Sequence, residues 1–245
     1  MKDKKEEIFL ARVADACERN YEPRFFDFCD EAMQSKIGRL LKGRGEPYAF
    51  WGGMEDAARQ MLCIYPEYCD GEALEWPLMA AAFQKNFPMD HRNVLGELMA
   101  MGITRECLGD IHVGEDEVQI IFAARMKPFF EQNLNKMKGR TIMVKYRGPE
   151  EIRSYALQFK SLDLVVSSLR VDGIIGKIWG FSRQDALTYI KQRRLRVNYE
   201  ETTKNDFQIK VGDILALRGK GKARIAEIGG MTKKGNTRLV IEKYI

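Results

Sequence analysis

Arg170, Arg183, Lys191, Arg193, Arg194 and Arg196 place six positive charges in 27 residues, with Lys177 in the same span and Asp172 and Asp185 as the opposing carboxylates. The chemistry open to such a set is the holding of phosphate oxygens. A planar guanidinium grips two oxygens at once, whereas an ammonium acts as a point charge. Cations concentrated on short elements suit a polyanionic backbone. The plain alternative is a solvated helix end, because cations near a helix C-terminus also complement its dipole.

These residues need elements to position them. Val171, Ile174, Ile175 and Ile178 recur at i, i+3, i+4 and i+7, one apolar face of a helix of about two turns. Gly180 breaks it. Ser182 is a good N-cap for a second helix, with Asp185 three residues on as in a capping box. Ala186, Leu187 and Ile190 supply the buried stripe of that helix. Leu195 and Val197 then alternate with Arg194 and Arg196, so a strand begins. Arg183 and Arg196 fall on the polar side of their elements, and neutralising both is expected to leave the fold intact.

Stretch 170–198 resembles the S-four RNA-binding domain, named for a small-subunit ribosomal protein. The matching residues are Arg170, Asp172, Ser182, Arg183, Ala186, Ile190, Leu195, Val197 and Asn198, with Gly212, Asp213 and Ile214 in the turn that follows. The family usually has Gly where Arg193 stands, a position suited to a left-handed helix end. The concentrated cations, the basic turn 219–222 and the resemblance together give an expected RNA-contact set of Arg170, Lys177, Arg183, Lys191, Arg193, Arg194, Arg196, Asn198, Lys220 and Lys222. Gly residues in the turns 219–222 and 232–235 would let backbone N–H groups approach phosphates, although an ordinary solvated loop accounts equally well for the second. Some enzymes with this domain, the pseudouridine synthases, use G-R-L-D with Asp as nucleophile. Here Gly38, Arg39 and Leu40 are followed by Leu41, so that chemistry is missing at this position.

The net charge of +5 hides an asymmetry. Residues 1–165 carry 23 Lys and Arg against 27 Asp and Glu, and residues 166–245 carry 17 against 8. The C-terminal part is therefore the expected polyanion-binding end. No apolar run is long enough to span a membrane, and the N-terminus lacks a signal-peptide core, so a cytoplasmic location is expected. The five cysteines are irregularly spaced, several among apolar residues where they read as small core hydrophobes, and with two histidines a zinc site is not expected.

Upstream, residues 4–20 read as a helix, and 24–45 as a buried segment that is helical after Asp27. Residues 48–51 read as a strand, 55–62 as a helix and 78–83 as a strand. Gly52-Gly53 is a tight turn that could also cradle a phosphate, although no Lys-Ser or Lys-Thr pair follows. A helix capped by Asp90 covers 91–101, strands 110–113 and 118–123 form a hairpin, and a helix covers 127–137. Residues 141–146 read as a strand with 155–160 as its partner.

His91, Arg92, Leu95, Gly96, Gly102, Ile103, Arg105, Gly109, Asp110 and Ile111 resemble the central motif of YlmH-type bacterial RNA-binding proteins. Phe26-Asp27-Phe28 and Gly52-Gly53 resemble that family's first domain. Asn93 and Ala58 stand where the family more often has Asp and Glu. His91, Arg92, Arg105 and Asp110 are read as residues that cap helices and position an RNA backbone, since no nucleophile with an evident base accompanies them.

The expected architecture is α+β. An acidic N-terminal region of two small domains, 1–85 and 86–165, precedes a basic S-four domain, 166–245. Neither a G-x-G-x-x-G nor a Walker fingerprint is present, and no catalytic set, cofactor or metal is expected. The resemblance implies binding of structured RNA (rRNA and tRNA) on the large ribosomal subunit, in ribosome-associated quality control and without catalysis, and a monomer is expected. Two other readings stay open. One is an RNA-modifying enzyme whose catalytic domain is 1–160. The other is an adaptor near the division machinery.

Overall fold

A computed structural model describes residues 2–18, 21–155, 159–232 and 235–244. The chain is mixed α and β and divides into two compact units, residues 1–155 and 156–245.

In the first unit, helix α1 (Lys2–Glu18) precedes the short strand β1 (Arg24–Phe25) and helix α2 (Glu31–Lys42). Asp30 caps α2 by accepting the Met33 N–H at 3.0 Å. Strands β2 (Tyr48–Trp51) and β3 (Met61–Ile64) join β1 in an antiparallel sheet of order β1-β3-β2. Every residue of β3 is buried. The helix expected over 55–62 is therefore absent: residues 53–59 turn, and Met-Leu-Cys-Ile is the central strand. A strand covered on both faces shows no alternation, so its apolar run reads equally well as helix. Of the helix expected over 4–20, residues 19 and 20 lie outside the described residues.

The same unit continues with β4 (Leu78–Gln84), α3 (His91–Ala100), β5 (Leu108–Val113), β6 (Glu117–Ala123), α4 (Lys127–Asn133), β7 (Lys136–Met137), β8 (Arg140–Thr141) and β9 (Lys145–Arg147). A four-stranded antiparallel sheet runs β5-β6-β4-β9, and β7 with β8 forms a separate hairpin. Asp90 and Asn93 close a capping box on α3. Helix α4 stops at Asn133, short of the expected 137, because the chain turns into the β7–β8 hairpin. Phe122 and Phe130 stack at 4.3 Å in the core between this sheet and its helices. Phe28 and Met61 pack with Leu78, Ala80 and Ile121, which joins the two sheets of the unit through one apolar cluster.

In the second unit, β10 (Phe159–Val166) is followed by α5 (Val171–Trp179), α6 (Arg183–Lys191), β11 (Leu195–Val197), β12 (Glu200–Glu201), β13 (Ile214–Leu217), β14 (Gly221–Met231) and β15 (Thr237–Tyr244). The sheet order is β10-β15-β14-β13-β11-β12, antiparallel throughout. Residues 159–166 thus pair with the C-terminal strand and not with 141–146. Residues 156–158 of the expected strand lie outside the described residues. Val171, Ile174, Ile175 and Ile178 are all buried, together with Ala186, Ile190 and one face of the sheet.

Candidate nucleic-acid interface

Helix α5 ends on Gly180 at φ 70, and α6 opens on Ser182, whose hydroxyl accepts the Asp185 N–H at 3.1 Å while Asp185 reaches back to the Ser182 N–H. The tight link between them leaves Gly176 within 2.9 Å of the Phe181 carbonyl at its would-be Cβ, so the two helices close onto each other there.

Asp172, 1% exposed, accepts bonds from Arg170 and Arg183, each at 2.9 Å, and from the Gly173 N–H at 2.8 Å. Burial alone would push this carboxyl up, but the two guanidiniums outweigh it and hold it below its ordinary value. Two of the ten expected RNA contacts are therefore engaged in an internal ion-pair bridge. Arg183 keeps a 62% exposed side chain, yet removing it also weakens the support of a buried carboxylate. Its neutralisation therefore carries a stability cost, while the exposed side chain lies on the polar face as expected.

Other members of the set are also held. Lys177 Nζ donates to the Val165 carbonyl. Asn198 sits in the two-residue turn between β11 and β12 at φ 48, with Tyr199 at φ 69. Its amide donates to Asp213 at 2.8 Å, and its carbonyl accepts the Ile214 N–H at 3.0 Å. Lys222 lies over the Tyr199 and Tyr244 rings, and Arg196 pairs loosely with Glu201 at 3.6 Å.

A different group comes together at the end of α6. Arg194 stacks on Tyr189 at 4.7 Å and donates to the Arg218 carbonyl at 2.8 Å. Trp179 Nε1 donates to the Lys220 carbonyl at 2.9 Å. These bonds dock the β13–β14 turn against the ends of α5 and α6. Lys191, Arg193 and Lys220 are exposed, and among the described residues no carboxylate pairs with them. Arg193 adopts φ 54, so the turn keeps the left-handed conformation despite the missing Gly. Lys233 and Lys234, in the turn 232–235, lie outside the described residues.

In the first unit, Asp110 accepts the Ala58 and Arg59 N–H groups at 2.6 and 3.2 Å. The Arg59 guanidinium donates to the carbonyls of Leu108, Phe28 and Arg105 at 2.8, 3.1 and 2.9 Å. This clamp fastens the segment before β3 onto β5. Arg59 was not singled out from sequence, because its partners are carbonyls distant along the chain. A Cβ on Gly52 would lie 2.4 Å from the Arg59 carbonyl, so Gly52 serves close packing. Burial pushes the thiols of Cys29 and Cys63 up to about 12, which keeps them unreactive near neutrality. Among the described residues no group of three or more His, Cys, Asp or Glu is placed to hold a metal, and no helix is long and apolar enough to cross a membrane.

Residues 72–151 match the family model described as "Putative RNA-binding domain in YlmH". The chain is 28% identical over 229 residues to the ribosome-associated protein quality control protein P2 of Bacillus subtilis (strain 168), covering 92% of this chain and 89% of that protein. The solved cell division protein ylmH from Streptococcus pneumoniae superposes with a TM-score of 0.54 at 18% identity, over 62% of this chain and 94% of that one, a likeness of fold.

Proposed function

We propose, from the YlmH-type RNA-binding domain that this chain carries over residues 72–151, that it binds structured RNA on the large ribosomal subunit and holds it without catalysing a reaction. The match over 72–151 is the observation that carries this reading. The quality-control relative supports a place in ribosome-associated quality control; in this reading rRNA and tRNA are the RNA and the cytoplasm is the setting. The exposed cations Lys191, Arg193 and Lys220, beside the docked Arg194, support a phosphate-contacting face in an S-four-like second unit. An A-form duplex hides its base edges in a deep groove, so a rigid cationic face reads it by shape and backbone.

The test is cosedimentation of the full chain with purified large subunits, followed by titration of a labelled RNA stem-loop across a salt series. Binding should weaken with salt. Lys191→Gln, Arg193→Gln and Lys220→Gln together should flatten log K against log salt by about 2.1 to 2.7, from 0.7 to 0.9 per phosphate. Absence of RNA and subunit binding by the unaltered chain would remove the reading. A multiple-turnover change in RNA or peptidyl-tRNA, seen by mass spectrometry, would remove its non-catalytic part.

A further inference from the structure

Residues 1–155 are acidic in sum, yet residues 124–147 carry Arg125, Lys127, Lys136, Lys138, Arg140, Lys145 and Arg147 against Glu131 alone. Three of these cations are engaged: Arg125 with Asp27, Lys127 with Glu131 and Arg147 with Glu117. The other four, Lys136, Lys138, Arg140 and Lys145, are exposed, and among the described residues no carboxylate pairs with them.

Their placement is rigid. Lys136 pairs with Thr141 and Met137 with Arg140 across a two-residue turn of Lys138 and Gly139, at φ 50 and 72. Both signs are positive, as the tight hairpin turn that matches strand twist requires. Met137, Leu134 and Ile142 are buried and root the hairpin in the core, and the Ile142 N–H bonds the Asn135 carbonyl at 3.0 Å. The Arg140 guanidinium lies over Phe87 at 5.0 Å, and Lys138 Nζ comes within 3.4 Å of the Pro88 carbonyl. Met143, 90% exposed, stands between Arg140 and Lys145. Charges on such an element keep their spacing, which a mobile lysine-rich loop does not.

We infer that the β7–β8 hairpin with Lys145 is a second RNA-backbone contact face, borne by the first unit and separate from the α6–β11 face. The inference rests on the RNA-binding reading above and assigns a surface within it. Solubility does not explain the patch, since the surrounding unit is already strongly charged with the opposite sign. A lysine on an edge strand discourages stray strand pairing, which accounts for Lys145 but not for the hairpin. Local positive charge in an acidic unit concentrates the phosphate contact at one place and repels it elsewhere.

The experiment titrates a labelled RNA stem-loop with the full chain across a salt series. The variant is Lys136→Gln, Lys138→Asn, Arg140→Gln and Lys145→Gln, Asn being chosen at 138 for its tolerance of positive φ. Its slope should be flatter than that of the unaltered chain by about 2.8 to 3.6, at 0.7 to 0.9 per phosphate. Circular dichroism should be unchanged. Should the quadruple variant not fold, Lys136→Gln with Lys145→Gln should flatten the slope by about 1.4 to 1.8. The charge-conserving pair Lys136→Arg and Lys145→Arg should leave it as it was. Unaltered affinity and slope in a folded variant, with the parent binding RNA, overturn this face and leave the functional reading standing. Loss of polyglutamate binding with RNA affinity retained also overturns it, by making the face a site for acidic protein. An unaltered chain that binds no RNA removes both.

Discussion

Asp172 is a carboxylate removed from water and bridged by two guanidiniums, one from Arg170 just before α5 and one from Arg183 at the start of α6. Its carboxyl titrates below its ordinary value even though burial alone would raise it, because Arg170 and Arg183 favour the charged form. A folded-state value below the unfolded one, about 3.9, means that the stabilisation is complete above that pH and is lost as pH falls through the folded value. Asp172→Asn should therefore cost on the order of 1–3 kcal/mol near neutrality, as expected for losing charged hydrogen bonds. Against the unaltered chain the deficit should shrink as pH drops below about 4. Denaturant unfolding at neutral and acidic pH measures this, and a deficit independent of pH would show that the bridge is not what Asn removes. Arg183→Ala should lower stability by a smaller amount, since Arg170 stays on the carboxylate. An RNA-binding loss in that variant must accordingly be read against its stability.

At the scale of elements, the α6–β11 turn shows how a local cost and a surface charge trade against each other. A side chain at φ 54 costs roughly 1–2 kcal/mol relative to Gly, from which the greater freedom of an unfolded Gly subtracts about 0.5–1. Arg193→Gly should thus raise stability by up to about 1.5 kcal/mol. It should also flatten the salt slope for RNA by about 0.7 to 0.9. Thermal unfolding beside a salt titration reads both. A gain in stability with an unchanged slope would take Arg193 off the contact surface. This helix pair was legible in sequence because its signals are local: a 3.6-residue apolar period, Gly180 at the end and Ser182 with Asp185 at the start. β3 was not, since a strand buried on both faces carries no alternation to separate it from a helix. The cations of the second unit were legible as a set. Which of them are spent on Asp172 or on carbonyl oxygens was not, because those partners are set by packing. The hairpin cations Lys136, Lys138 and Arg140 were hidden for another reason. Summed over an acidic stretch of 165 residues their charge disappears.

For the whole molecule, the charge pattern has two poles of positive charge, one in each unit, and an acidic remainder in the first. Each unit also closes its own core, with α5 and α6 packed on one sheet in the second, and two sheets joined through Phe28, Met61 and Ile121 in the first. Cores that close separately should melt as separate cooperative steps. Gly52→Ala places a methyl against the Arg59 carbonyl and Ala57, which should destabilise the first unit by about 1–3 kcal/mol. For a unit of that size each kcal/mol lowers the midpoint by roughly 2–4 °C, and for one the size of the second by roughly 4–8 °C. Trp51 and Trp76 report on the first unit and Trp179 on the second. In a Trp179→Phe background, fluorescence should therefore follow the first unit alone. There Gly52→Ala should shift the transition and Asp172→Asn should leave it in place. With Trp179 retained, Asp172→Asn should move the second step only. If either substitution displaces both steps equally, the chain melts as one body and the separation of its two cationic poles into independently folded units fails.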